Sequence, residues 1–267
     1  MSLNHRTAPT PVPDETGGHG LLAGKIVVIT AAAGTGIGQT TARRCLEEGA
    51  TVVISDAHPR RLEETAAELR TQFDAEVLAV PCDVTNEEQV VALYDAVIAR
   101  YGRIDVAVNN AGLGGTSNIV DMTDEQWSKV LDVTLTGTFR CTRAVLKHMY
   151  AAKSGVIVNN ASVLGWRAQP GQAHYAAAKA GVMALTRCSA AEAAEHNVRV
   201  NAVSPSLAEH PFLNKVIDQA DLDVLRSREL FGRGAETWEV ANVIVFLASG
   251  YSSYLSGEVI STSSQHP

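Results

Sequence analysis

The stretch Lys25-Ile26-Val27-Val28-Ile29-Thr30-Ala31-Ala32-Ala33-Gly34-Thr35-Gly36-Ile37-Gly38 decides the fold of this chain. Its first half is an apolar run, the pattern of a strand buried on both faces in a helix-covered parallel sheet. Its second half is a glycine-bearing turn, and the residues from Gln39 to Glu48 read as a helix. A glycine cluster alone is weak evidence, but strand, glycine turn and helix in this order suit a dinucleotide. Glycine lets the backbone approach a pyrophosphate, and the helix N-terminus offers free N–H groups and a partial positive charge. Thr30, Ala32, Gly34, Thr35, Gly36 and Ile37 are therefore candidate cofactor contacts. A second apolar strand, 51–56, ends at Asp56. A carboxylate about twenty residues beyond the glycines is placed to accept hydrogen bonds from the adenosine ribose.

Strands and helices alternate along the rest of the chain. Strands are expected at 25–30, 51–56, 76–81, 105–109, 156–160, 199–203 and 259–261, and helices at 39–48, 60–73, 87–101, 124–152, 175–195 and 239–248. Apolar strands between amphipathic helices predict an α/β fold: a single Rossmann domain over 21–267, with a doubly wound, seven-stranded parallel sheet and helices on both faces. Residues 1–20, polar and rich in proline and glycine, read as a flexible arm. The segment from about 207 to 234 breaks the rhythm. It reads as a lid insertion, with a solvated helical excursion as the alternative.

A second constellation lies in the later half. Tyr175 precedes Lys179 by four residues, which puts both side chains on one helix face, about one turn apart. An ammonium beside a phenol favours the phenolate and is expected to pull its pKa down from about 10. That makes Tyr175 a candidate acid or base, with Ser162 placed to hold the oxygen that gains or loses the proton.

Composition narrows the classes. The 267 residues suffice for one large domain, and a net charge of −7 argues against a nucleic-acid partner. No apolar run reaches the roughly 20 residues of a membrane span, and the N-terminus lacks a secretory pattern. Cys45, Cys82, Cys141 and Cys188 are widely spaced and read as reduced, buried thiols of a cytoplasmic protein. No metal-ligand spacing appears, so no metal is expected.

These motifs together resemble the short-chain dehydrogenase/reductase family, from about Leu21 to Ser261. The resemblance adds cofactor positions at Cys82, Asp83 and Val84 beside the adenine, at Asn110, Ala111 and Gly112, and at Pro205 and Ser206 beside the nicotinamide. It makes Ser162, Tyr175 and Lys179 catalytic, with Tyr175 and Lys179 also touching the cofactor. Thr134 stands where the family has a catalytic Asn that bends the helix and holds a water of the proton relay, and is expected as a catalytic residue that does part of this through its hydroxyl. Three further departures are Ala31 in place of the first glycine, Ser206 with Glu209 near the nicotinamide, and the ending Ser263-Ser264-Gln265-His266-Pro267.

A closer similarity is to actinobacterial members acting on coenzyme A thioesters from the C and D rings of sterols. It rests on Trp166-Arg167, Glu209-His210-Pro211 and Gln265-His266-Pro267. It implies Leu164, Trp166, Arg167 and His210 as substrate contacts, and Lys215, Arg226, Arg228 and Arg233 as candidates for coenzyme A phosphates. Asp56 favours NAD over NADP. The function expected is interconversion of a secondary alcohol and a ketone on such a thioester. A 3-oxoacyl thioester reductase is the alternative, and a non-catalytic dinucleotide sensor a more distant one. Paired long helices in the family imply a homotetramer or homodimer.

Overall fold

In the computed structural model, which describes residues 8–211, 213 and 218–265, strand β1 (Ile26–Thr30) lies inside the sheet with all five residues buried. It pairs with β2 (Thr51–Asp56) on one side and β4 (Val106–Asn109) on the other. With β3 (Val77–Pro81), β5 (Gly155–Asn160), β6 (Val198–Pro205) and β9 (Val259–Thr262), the strands form one parallel sheet in the order β3-β2-β1-β4-β5-β6-β9. β7 (Ala208–Glu209) and β8 (Ala235–Glu236) form a separate two-stranded ladder. The winding reverses between β1 and β4, and ligands of doubly wound sheets bind at that crevice, at the carboxyl ends of the strands.

Alternate strand residues point to opposite faces and build two cores. Val27, Ile29, Val158 and Val203 pack with α1 (Ile37–Glu47) and α8 (Thr237–Ala248). Val28, Val53, Ala107 and Ile157 pack with α3 (Glu87–Tyr101) and α5 (Gly137–Ala152). The helices α2 (Pro59–Phe73) and α6 (Ala173–Ala193) complete the two layers. Asn109 and Asn159 tie the second face together: Asn109 Nδ2 donates to Asn159 Oδ1 (2.8 Å) and Asn159 Nδ2 donates to Thr186 Oγ1 (2.9 Å), all buried.

Three expectations are corrected. The helix read over 124–152 is two helices, α4 (Asp124–Leu131) and α5, joined by a π turn at Asp132–Thr136. The wider turn aims Thr134 at the loop after β4, where its hydroxyl accepts from Leu113 N (3.0 Å) and donates to Leu113 O (3.1 Å).

The arm read as flexible is held over its described part. Glu48 Oε2 accepts from His19 N and Leu21 N (both 2.9 Å), Arg43 pairs with Glu15 (2.5 Å), and Thr10 N donates to Phe231 O (2.8 Å). Gly18 lies so close to α1 that a Cβ there would sit 1.9 Å from Glu47 O. The cause is the nearly buried Glu48 carboxylate, which needs these donors. Finally, Cys188 is exposed, whereas Cys45, Cys82 and Cys141 are buried.

Within the segment 207–234 lie β7 and α7 (Gln219–Ser227), which Asp218 caps by accepting from Asp221 N (2.9 Å).

Candidate active site

The glycine turn leaves β1 through Ala31, whose φ of 50° lies in the left-handed region. This explains the family's glycine at that point, because a Cβ there is strained. Ala31 O is held by Asn110 Nδ2 (3.0 Å). Gly38 is compelled by packing, since its Cβ would lie 2.3 Å from Ala31 O and 2.5 Å from Asn110 Nδ2. Gly34 and Gly36 face open space, and no side chain caps the N-terminus of α1 at Gly36. Open space over uncapped N–H groups fits the pyrophosphate of a dinucleotide.

Asp56 is almost buried. Its Oδ2 accepts from Ala33 N (3.3 Å) and its Oδ1 from His58 N (2.9 Å). Arg61, in the first turn of α2, brings Nη2 to 3.8 Å from Asp56 Oδ1.

Several candidate cofactor residues also make contacts within the framework. The buried Thr30 hydroxyl accepts from Asn110 N (3.0 Å) and Ala111 N (3.3 Å), so it shapes the crevice from below. Ala32 N donates to Ser55 O (3.0 Å), and Cys82 N donates to Asp56 O (3.1 Å). Asp83 Oδ1 accepts from Thr85 N and Oγ1 (2.9 and 2.8 Å), and Val84 packs against Gly137. Thr35 and Ile37 stand in and just after the open turn.

Across the crevice, Ser162 caps a short 3-10 turn, Val163–Gly165, by accepting from Leu164 N (3.3 Å). Tyr175 and Lys179 leave one face of α6, and the Lys179 Nζ lies 5.5 Å from the Tyr175 ring centre. Burial raises the Tyr175 pKa above its ordinary value, and a hydrogen bond with Ser162 pulls the other way. Burial also pushes Lys179 down to about 7. The expected lowering of the phenol is thus corrected: two adjacent buried groups both favour their neutral forms. Lys179 Nζ donates to Asn160 O (2.5 Å), and a Cβ on Gly112 would lie 3.4 Å from Nζ.

Asn160 was not anticipated. Its Nδ2 donates to Asn110 Oδ1 (2.9 Å), so it links Lys179 to the glycine turn through Asn110. The available signal was a second amide after Asn159, at the end of an apolar strand.

The substrate candidates divide. Leu164, Trp166 and Arg167 line one groove of about 720 Å³ with Ile119, Ala173 and Ala177. Ala173, Ala176, Ala177 and Ala180 bring to this groove a face of α6 that lies roughly 130° around the helix from Tyr175 and Lys179. His210 lies in the other region, where burial lowers its pKa and its Nδ1 accepts from Leu213 N (3.3 Å). A second cavity of about 160 Å³ is lined by Ser206, Arg233, Thr262 and Ser263. Pro205 ends β6 beside it.

Glu209, expected near the nicotinamide, is engaged elsewhere. Arg226 donates to both its oxygens (3.0 and 2.5 Å) and Gly234 N donates to Oε1 (2.9 Å), which holds the carboxyl below its usual range. Arg226 is thereby occupied, as is Arg233 by Glu239 (2.6 and 2.8 Å). Two of the residues read as phosphate contacts are thus committed to ion pairs. Arg228 is exposed, and Lys215 lies outside the described residues.

A family model described as "Enoyl-(Acyl carrier protein) reductase" matches residues 31–264. The chain belongs to the short-chain dehydrogenase/reductase family, and is an NAD(P)-dependent oxidoreductase acting on CH–OH groups. Among its relatives is the (5R,7aS)-5-hydroxy-7a-methyl-1-oxo-2,3,5,6,7,7a-hexahydro-1H-indene-carboxyl-CoA reductase of Mycobacterium tuberculosis, 66% identical over 96% of this chain and 98% of that protein. The 3-oxoacyl-[acyl-carrier-protein] reductase of Thermotoga maritima is 42% identical over 90% of this chain and 96% of its own. A crystal structure of a short chain dehydrogenase from Mycobacterium smegmatis superposes with a TM-score of 0.86 at 58% identity, covering 96% of this chain and 99% of that one.

Proposed function

We propose that this enzyme interconverts a secondary alcohol and a ketone on a fused-ring compound carried as a coenzyme A thioester. The observation that carries the reading is the convergence of Ser162, Tyr175 and Lys179, and the groove of Leu164, Trp166 and Arg167, whose loop begins at the turn Ser162 caps, is the proposed seat of the ring. The 66% identical relative, named as a reductase of such a thioester, supports the substrate class.

The open glycine turn, Asp56 and the Asn110–Gly112 segment would hold the dinucleotide, with Lys179 directed at the nicotinamide ribose. A bound nicotinamide takes up or supplies the hydride. The substrate oxygen lies between Ser162 Oγ and Tyr175 Oη, and Ser162 stabilises charge developing on it. Burial keeps the Tyr175 phenol protonated at neutral pH, the form that donates its proton to a ketone oxygen. In the other direction Tyr175 must first give up its phenolic proton; the phenolate Oη then takes the alcohol proton, and the fraction of Lys179 that is protonated favours that phenolate. Thr134 stays outside the relay, because its hydroxyl is committed to Leu113, and the Lys179 contact with Asn160 O replaces part of what the family's Asn supplies.

NAD is the favoured cofactor because the Asp56 carboxylate suits ribose hydroxyls and repels a 2′-phosphate. The exposed Phe139 of α5 and the exposed Ala184 of α6 support a homotetramer or homodimer through these helices. The buried thiols Cys45, Cys82 and Cys141 support a cytoplasmic setting.

A second reading, 3-oxoacyl thioester reduction, is supported by the Thermotoga maritima relative. The test is nicotinamide absorbance with a ring-alcohol coenzyme A thioester and with a short 3-hydroxyacyl thioester. Turnover of the ring substrate is expected, and Tyr175→Phe should lose about 10²–10⁴-fold. Turnover of the short thioester alone would move the enzyme to the second reading. Near-normal turnover by Tyr175→Phe would remove Tyr175 from the mechanism.

A further inference from the structure

The C-terminal ending and Arg167 are two features that the mechanism leaves unused, and the structure joins them. Glu229, after α7, is a carboxylate only 5% exposed. Its Oε2 accepts from Ser264 Oγ (2.7 Å), and its Oε1 accepts from Gln265 Nε2 (2.6 Å) and, more weakly, from Leu207 N (3.5 Å). Gln265 turns its other amide atom outward, and Oε1 accepts from Arg167 Nη1. Gln265 N also donates to Ser263 Oγ (3.0 Å), which folds the tail back on itself. One polar chain thus runs from the buried Glu229 through the tail to the loop that follows Ser162.

An amide is suited to this place. Its nitrogen can only donate and its oxygen can only accept, so a carboxylate on one side and a guanidinium on the other fix its orientation. A buried carboxylate is costly without donors, and the tail supplies two of them. Arg167 is also the one charged side chain among the described residues that line the 720 Å³ groove, whose other walls are alanine, glycine, apolar and neutral polar residues. Where that guanidinium stands therefore decides where the groove attracts a carbonyl or an anionic group.

We propose that Gln265, held by Glu229, is a positioning residue that sets the Arg167 guanidinium against the acyl-thioester end of the substrate. The tail thereby determines preference for thioester-bearing rings over uncharged ring alcohols. This rests on the thioester reading above. The positive charge on the groove wall gives binding energy to a polar acyl end and none to a bare ring, and a hydrogen bond to a charged group is a strong one.

The experiment compares the full-length wild type, Gln265→Leu, Gln265→Glu and the double variant Glu229→Gln/Gln265→Glu. The substrates are a ring-alcohol coenzyme A thioester and cyclohexanol, with NAD saturating. Gln265→Leu should raise KM for the thioester roughly tenfold relative to KM for cyclohexanol. Gln265→Glu should do the same, because it sets two carboxylates against each other. The double variant restores a donor facing an acceptor at each step, and should recover the wild-type KM ratio within about threefold.

An unchanged KM ratio in Gln265→Leu, or an equal rise for both substrates, would overturn the positioning role while the wild type still used the thioester. A wild type that used cyclohexanol and refused the thioester would instead overturn the functional reading itself, and the two failures are distinct.

Discussion

Replacing Asp56 by Asn should convert the cofactor preference, and the structure gives the scale. The amide keeps one oxygen for His58 N, the shorter of the two bonds that Asp56 now accepts, gives up the weaker bond from Ala33 N, and deletes the charge. Two unit charges about 4 Å apart interact by ~1 kcal/mol in water and ~4 kcal/mol at an effective dielectric of 20. Arg61, 3.8 Å from Asp56 Oδ1, is about half exposed (47%), so the lower figure applies. Removing the carboxylate relieves a 2′-phosphate of about 1 kcal/mol of repulsion and releases Arg61 to attract it by a similar amount. NAD meanwhile loses about 1 kcal/mol as a charged acceptor of its ribose hydroxyls becomes neutral. The total of roughly 3 kcal/mol is about a hundredfold swing in the ratio of kcat/KM for NADP to that for NAD. Initial rates with both cofactors at one fixed substrate concentration measure it. A ratio within about threefold of wild type would refute the electrostatic argument. If instead the swing survived Arg61→Gln in the same background, Arg61 would have no part in it.

Two further outcomes follow from the site. Lys179 ionises near 7 when folded and near 10.4 when unfolded, so between those values the unfolded chain holds the extra proton and stability rises with pH. The raised Cys45, Cys141 and Tyr175 act oppositely once pH exceeds about 8.5, which leaves pH 7–8.5 as the clean window. Lys179→Met should flatten the rise in that window and increase stability at pH 7 by roughly 1–4 kcal/mol, read from urea midpoints. A persistent slope would assign the titration to another group. Gly36→Ala should keep wild-type thermal stability yet raise the dinucleotide Kd at least tenfold or so, because its Cβ enters only open space. Gly38→Ala should lose both, because its Cβ meets Ala31 O and Asn110. Equal behaviour of the two variants would contradict the placement of the pyrophosphate.

Much of the architecture was legible because it depends on period and run length. The buried run before Thr30 gave β1, and the helix expected at 60–73 is observed at Pro59–Phe73. The pairing of Tyr175 with Lys179 was legible for the same reason: four residues are about one helical turn in any context. Other features depend on tertiary partners that no local pattern encodes. The π turn at Asp132–Thr136 follows from the Leu113 backbone meeting Thr134, across 21 residues of sequence. The direction of the Tyr175 shift needed a burial that spacing cannot give. Arg226 and Arg233 looked available for phosphates until Glu209 and Glu239 were found beside them. The arm read as flexible because its composition is that of a linker, while its anchor is one carboxylate, Glu48.

That arm has a consequence for the order of assembly. Its inner end finds Glu47 and Glu48 soon after α1 is made, since these lie close in sequence. The partner of Thr10 is Phe231, almost the full length of the chain away. During synthesis the first residues to emerge therefore wait for nearly the last before their outer contact can close. The bond between Thr10 and Phe231 closes a circuit around the protein, and amide exchange at Thr10 should slow only when the segment around Phe231 is in place. A residue near the start of the chain would thus serve as a clock for the completion of its end.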